Sequence, residues 1–217
     1  MKITMKEVLN LEEINSIGRS QEIDHEQNMK LIREIVTNIK RTMRKKNLSS
    51  LSAPGIGYNK RIFCIDFSGN EIKSFINPVI TNAEGLQLVR EQCSSIPDKE
   101  YIVPRNSTID VIYETPTGQI KTKRLQSVVA FVFQHEMDHL NGVTLDDIGL
   151  EVDSDFDEAT QEEREEIISM YLDSLDLRQK YLEEVINSDE ELKIVSERLK
   201  FAEALARGDI EFEKQEE

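Results

Sequence analysis

Residues 128–142 read Val-Val-Ala-Phe-Val-Phe-Gln-His-Glu-Met-Asp-His-Leu-Asn-Gly, an apolar run that passes straight into a polar one. Two of the chain's three histidines, His135 and His139, stand four positions apart within it. Residues at i and i+4 of a helix share one face, about 5–6 Å apart, so both imidazoles can hold one ion. Glu136 lies beside them, placed to take a proton from a water that such an ion activates. An apolar run needs a core to bury in, while unpaired polar groups in that core cost about 1–3 kcal/mol each. The stretch therefore predicts a largely buried helix over about 127–141 that carries a polar site, with Gly142 as its left-handed cap.

Two histidines do not complete a catalytic metal centre, which needs a third protein ligand and an open position for water. Three candidates stand in the sequence. The extended pattern HExxHxxGxxH fails, because Gly142 fits but its last place is Leu145. Glu158 lies at a plausible downstream distance, in a stretch so acidic that some glutamate falls there by composition alone. The third candidate, Cys93, lies among polar residues in Glu91-Gln92-Cys93-Ser94-Ser95-Ile96-Pro97, where packing offers no reason for a thiol. Cys64 alternates within Arg61-Ile62-Phe63-Cys64-Ile65-Asp66-Phe67 and reads as a small buried residue of a strand. Cys93 is therefore the preferred third ligand. A thiolate with two imidazoles suits zinc and ferrous iron alike.

At this point the sequence resembles the peptide deformylases, enzymes that remove the formyl group from N-formylmethionyl chains. Their motif QHExDHLxG is matched in full by Gln134 through Gly142. EGCLS is matched in part, by Glu91, Cys93 and Ser95, and GφGφ(A/S)APQ survives as Leu51-Ser52-Ala53-Pro54. Phe75-Ile76-Asn77-Pro78, Val103-Pro104-Arg105 and residues 56–62 extend the likeness over roughly 10–150. It implies an α+β fold, with antiparallel sheets around a central metal-binding helix. It also implies one Fe2+ or Zn2+ ion on Cys93, His135 and His139, with Glu136 as general base and then acid.

The resemblance further implies an oxyanion donor in the backbone N–H of Ser94 and a second in the motif-one glutamine, whose position here is Gly55. The two glycines of that motif become Leu48 and Ser50, so Leu48 is expected at the substrate groove, where it could block it. Losing one oxyanion donor typically costs about 10²–10³ in rate. Gln92 and Asn59 are the replacement donors the sequence offers. Val128 and Phe131 precede His135 by seven and four residues, so they share its face and could line a pocket for a methionine side chain. Arg105 is expected to position a peptide backbone or to pair with a surface carboxylate.

Charge divides the chain. Residues 1–145 carry 19 Lys+Arg against 17 Asp+Glu, and residues 146–217 carry 8 against 25. The shift suggests a hydrolase domain over 1–147 and an acidic helical extension over 148–217. Thr160 with Glu163 and Ser188 with Glu191 read as capping boxes of two amphipathic helices, a hairpin ending near Gly208. Its apolar stripes over 160–207 fit homodimerisation or a protein partner. Its acidity argues against RNA, whose phosphates it would repel. Near the N-terminus, Asp24 with Gln27 opens a helix over 24–46, with Met29, Ile32, Val36, Ile39 and Met43 at helical spacing. Residues 61–124 read as short strands. No apolar stretch approaches a membrane span, and no signal or disulfide framework is evident, so the expected compartment is the cytoplasm. Two further readings stand beside the deformylase: a catalytically impaired relative that binds peptide N-termini or a partner, and an HExxH metallopeptidase using Glu158.

Overall fold

The computed structural model describes residues 6–69 and 71–171. The chain divides into two units, Met1–Ala159 and Thr160–Glu217.

The first unit opens with a one-turn helix α1 (Leu11–Asn15), closed by an Asn10/Glu13 capping box. The long helix α2 (His25–Lys46) follows. The Asp24 side chain accepts from the Gln27 N–H at 3.1 Å, and Asn47 ends the helix in the left-handed conformation. Both are preferred cap residues because they satisfy backbone groups a helix end leaves unpaired. Ile32, Ile35, Val36, Ile39 and Met43 bury the inner stripe. Met29, expected on that stripe, is 45% exposed. Asn28 departs from helical dihedrals (φ −123°, ψ 18°), so the first turn runs out of phase with the rest. The cationic last turn of Arg44, Lys45 and Lys46 is solvated, where it suits the helix dipole.

Five antiparallel strands pair in chain order: β1 (Ser50–Ser52), β2 (Ile62–Asp66), β3 (Ile72–Cys93), β4 (Ile96–Glu114) and β5 (Ile120–Gln126). Between β1 and β2 the chain makes a 3-10 turn, Pro54–Ile56. β3 and β4 form a long hairpin whose two-residue turn is Ser94-Ser95, with Cys93 opposite Ile96. The sequence read short strands here; two are instead 22 and 19 residues long, with register shifts at Ile76/Val79, Ile80/Asn82 and Glu91/Cys93. Helix α3 (Val128–Leu140) crosses the sheet. Ala130, Phe133, Met137 and Leu140 meet Phe63, Phe75, Ile109, Val111 and Leu125 in one apolar cluster. Phe133 packs edge-on against Phe63, ring centroids 4.9 Å apart. The architecture is α+β, as the pattern of elements predicts.

Two short helices, α4 (Leu145–Ile148) and α5 (Ser154–Glu158), flank strand β6 (Leu150–Val152). β6 pairs with β4 over Glu100–Ile102, so the first unit runs on to Ala159, past the boundary that charge alone suggested at 147. Charge marks where acidic residues begin, whereas backbone pairing marks where the sheet ends. In the second unit the Thr160–Glu163 capping box is present, and helix follows over 161–171. The remainder of the expected hairpin, including Ser188–Glu191 and Gly208, lies outside the described residues. No helix among the described residues is long and apolar enough to cross a membrane.

Candidate metal centre

Helix α3 is anchored at its middle and at its C-terminal end. The Gln134 amide accepts from the Asn106 N–H at 2.9 Å and donates to the Asn106 and Ala130 carbonyls, stapling the helix to β4. At the C-terminal end, the Leu140 carbonyl accepts from the Ser20 N–H and from Arg61. Gly142 has φ 75°, and a Cβ there would lie 2.7 Å from the Gly18 carbonyl carbon. Only glycine combines that conformation with that approach.

His135 and His139 project from consecutive turns, their Nε2 atoms 3.2 Å apart. Cys93, at the tip of the β3–β4 hairpin, brings its Sγ to 3.3 Å from His139 Nε2. One donor atom from each of the three lies within 4.8 Å of the others, a spacing able to surround a single ion. No other such group occurs among the described residues. A sulfur and two imidazole nitrogens, leaving one position open, form the donor set of a catalytic centre for zinc or ferrous iron.

Behind these donors lies a second set of partners. His135 Nδ1 sits 2.9 Å from Glu91 Oε2, and a carboxylate there can only accept, so Nδ1 carries the proton and Nε2 is left for a metal. Arg105 grips Glu91 through Nε (2.8 Å) and Nη2 (3.0 Å), and turns Nη1 to Asp138. Burial alone would raise the Glu91 pKa, but His135 and Arg105 outweigh it and hold the carboxylate at about 2. Burial pulls His139 down to about 3, aided by the neighbouring His135, so its imidazole is neutral, as a ligand's must be. His135 goes the other way, to about 10. Burial there is overcome by Cys93 and Glu91, so in the metal-free chain it holds a proton that metal would displace.

Glu136 is 3% exposed, and its Oε2 atom has no hydrogen-bond partner. Burial raises its pKa, while His135 and the hydroxyls of Ser50 and Ser52 pull back. Two cavities meet here. One, lined by Leu48, Ser52, Gly55, Ser94 and Ser95, contains the Cys93/His135/His139 cluster and Glu136. The other, lined by Val89, Val128, Phe131 and Val132, opens beside it. Ser49, Ser50, Gln92 and His135 border both.

The structure thus brings Cys93, His135, His139, Glu136, Ser94 and Gly55 to one cavity, and Val128 and Phe131 to the next. The apolar run is less buried than its composition predicted: Val128 is 68% exposed and Phe131 half-buried, because both face the open groove instead of the core. Leu48 borders the first cavity without closing it, since its side chain packs against the α2 core. Arg105 is 4% exposed and lines neither cavity; of its two expected roles the structure shows the carboxylate pairing, with Glu91 and Asp138, at a buried position instead of the surface. Glu158 ends α5, exposed and outside the cluster, so the metallopeptidase ligand set fails. Asn59 accepts from the Gln21 N–H and borders neither cavity. Cys64 is fully buried beside Ser74, a core residue as expected. Sequence reasoning missed the bracing role of Glu91 and Asp138. The signal was there in part: Glu91 stands two residues before Cys93, and Asp138 directly precedes His139.

A buried helix with two histidines and a glutamate, met by a cysteine from a hairpin tip, forms a site that could hold one metal ion beside a buried carboxylate. The sequence model described as polypeptide deformylase matches residues 5–150. The chain belongs to that family. A peptide deformylase of Synechocystis sp. is 36% identical over 117 residues, which cover 52% of this chain and 63% of that relative. One from Dictyoglomus turgidum is 33% identical over 120 residues, covering 55% and 78%. Among solved structures, the peptide deformylase of Thermotoga maritima superposes with a TM-score of 0.60 at 29% identity, covering 66% of this chain and 97% of that one.

Proposed function

We propose that this chain is a metal-dependent deformylase that hydrolyses the formamide of N-formylmethionyl peptides. Cys93, His135 and His139 would hold one divalent ion, Fe2+ or Zn2+. Bound there, it would supply Lewis acidity, making a water acidic and polarising the formyl carbonyl. The Glu136 carboxylate takes the proton of the attacking water as the new C–O bond forms and the carbonyl pair moves onto oxygen. It returns that proton to the amine nitrogen as the C–N bond breaks, so formate and a free amine leave. Val128, Phe131 and Val132 offer an apolar wall for the methionine side chain. Ser94, beside Cys93, offers a backbone N–H to the developing oxyanion.

The observation that carries this reading is Glu136: a carboxylate almost wholly buried, with an unpartnered oxygen, on the cavity that contains the three donors. A structural glutamate would be paired, since an orphaned buried oxygen costs stability. The test is turnover of a formyl-methionyl peptide by protein loaded anaerobically with ferrous iron, against Glu136→Ala. The variant should retain metal and lose about 10²–10⁴ in kcat, the usual range for a general base. Equal rates in the two proteins would instead support the binding-protein reading, which Gly55, with no side chain to offer as a donor, favours.

A further inference from the structure

The proposed reaction places negative charge on the formyl oxygen, and a neutral N–H donor aimed there is worth about 10²–10³ in rate. Gly55 lies on the cavity but has no side chain to supply one. Among the side chains lining that cavity, Ser49, Ser50, Ser52, Ser94 and Ser95 bring hydroxyls. One carboxamide lines it: Gln92. Gln92 directly precedes Cys93, is exposed and therefore free to turn, and borders the apolar groove as well. A formamide whose side chain fills the groove and whose carbonyl reaches the Cys93/His135/His139 cluster must pass that junction. In the motif resembled, this position is glycine and the opposite one glutamine; here the two residue types have changed places.

We propose that Gln92 supplies the oxyanion hydrogen bond that Gly55 cannot, donating from its Nε2–H group to the oxygen of the scissile formamide. The assignment rests on the deformylase reading. It implies that the amide has crossed the cleft, from the turn after β1 to the end of β3.

The test uses the full chain. Gln92→Gly and the isosteric Gln92→Glu should each lower kcat about 10²–10³-fold, with KM changed less than about threefold, because the bond forms only in the transition state. Adding Gly55→Gln to Gln92→Gly should restore most of the loss. A Cβ at Gly55 meets Leu51 Cδ1 at 3.1 Å, the end of a side chain that can shift by a few tenths of an ångström. A second readout is independent of turnover. In 15N-labelled, zinc-loaded protein, the Gln92 side-chain amide signals, assigned by their loss in Gln92→Gly, should move when a peptidyl hydroxamate binds. Gln92→Gly should bind that hydroxamate at least tenfold more weakly. Unmoved amide signals on a hydroxamate-saturated protein, or wild-type kcat in Gln92→Gly, would overturn the assignment. If the wild-type protein failed to hydrolyse formyl peptides, the deformylase reading would fall, while the amide shift would still decide whether Gln92 is a donor.

Discussion

Arg105→Ala gives the sharpest test of how the site is held together. The guanidinium is 4% exposed and holds Glu91 in a two-pronged contact while reaching Asp138. Removing one partner of a buried ion pair costs about 3–5 kcal/mol, because the other charge is left without compensation. Here the two carboxylates are not equally stranded. Asp138 is 25% exposed and recovers solvent, whereas Glu91 is 11% exposed and does not. The expected loss therefore sits at the lower end, about 3–4 kcal/mol. At about 2–4 °C per kcal/mol for a unit of this size, the melting point should fall by roughly 6–16 °C. With no tryptophan in the chain, urea unfolding is best followed by far-UV circular dichroism. Glu91 also orients His135, so zinc affinity by chelator competition should drop about 10–100-fold. Arg105→Lys should recover little, since one ammonium cannot reproduce a planar fork spanning two carboxylates. In a Glu91→Gln background the cost of Arg105→Ala should shrink by at least about 1 kcal/mol, the coupling expected of residues in one network. A stability loss below about 1 kcal/mol with zinc affinity intact would refute the bracing role.

Other outcomes follow from the same geometry. Gly142→Ala should destabilise by at least about 1–3 kcal/mol from its positive φ alone; Gly142→Asn, which tolerates that φ, should do no better, because the added Cβ strikes the Gly18 backbone, and denaturation of both variants measures this. Cys64 is buried, which pushes its thiol up to about 12 from an ordinary value of 9.0, so it should resist thiol reagents in the folded chain at pH 8 and react on unfolding. The sign follows: the folded state keeps a proton that the unfolded state loses, so Cys64 contributes stability below pH 9 that declines as pH rises toward 12. Phe131→Ala should lower kcat/KM for formyl-methionyl peptides by about tenfold, the scale of a lost apolar contact in a pocket, and by less for a formyl-alanyl peptide.

What could be read in advance follows the range of the forces involved. The helical spacing of Ile32, Val36, Ile39 and Met43, the Asp24 cap and the His135–His139 pair are local signals, and each element formed where they indicated. Cys93 was legible because a polar setting left its thiol unexplained. The Glu91–Arg105–Asp138 brace was not, since it joins two strands and a helix across 14 and 33 positions of sequence. Strand lengths failed for a related reason. β3 runs through Asn77-Pro78 without ending. Asn77 takes φ 45°, its side chain bonds both the N–H and the carbonyl of Ile23, and the ladder skips from Ile76 to Val79. A bulge of this kind absorbs a residue that cannot donate without ending the strand.

The three residues of β6 set a practical limit on how this chain can be shortened. A chain cut at 147 would strip Glu100, Tyr101 and Ile102 of their neighbour and lay open a bare row of amide and carbonyl groups. Such an unprotected margin invites pairing between molecules. A truncation placed there would be expected to self-associate, whereas one placed after 159 would leave the margin sealed.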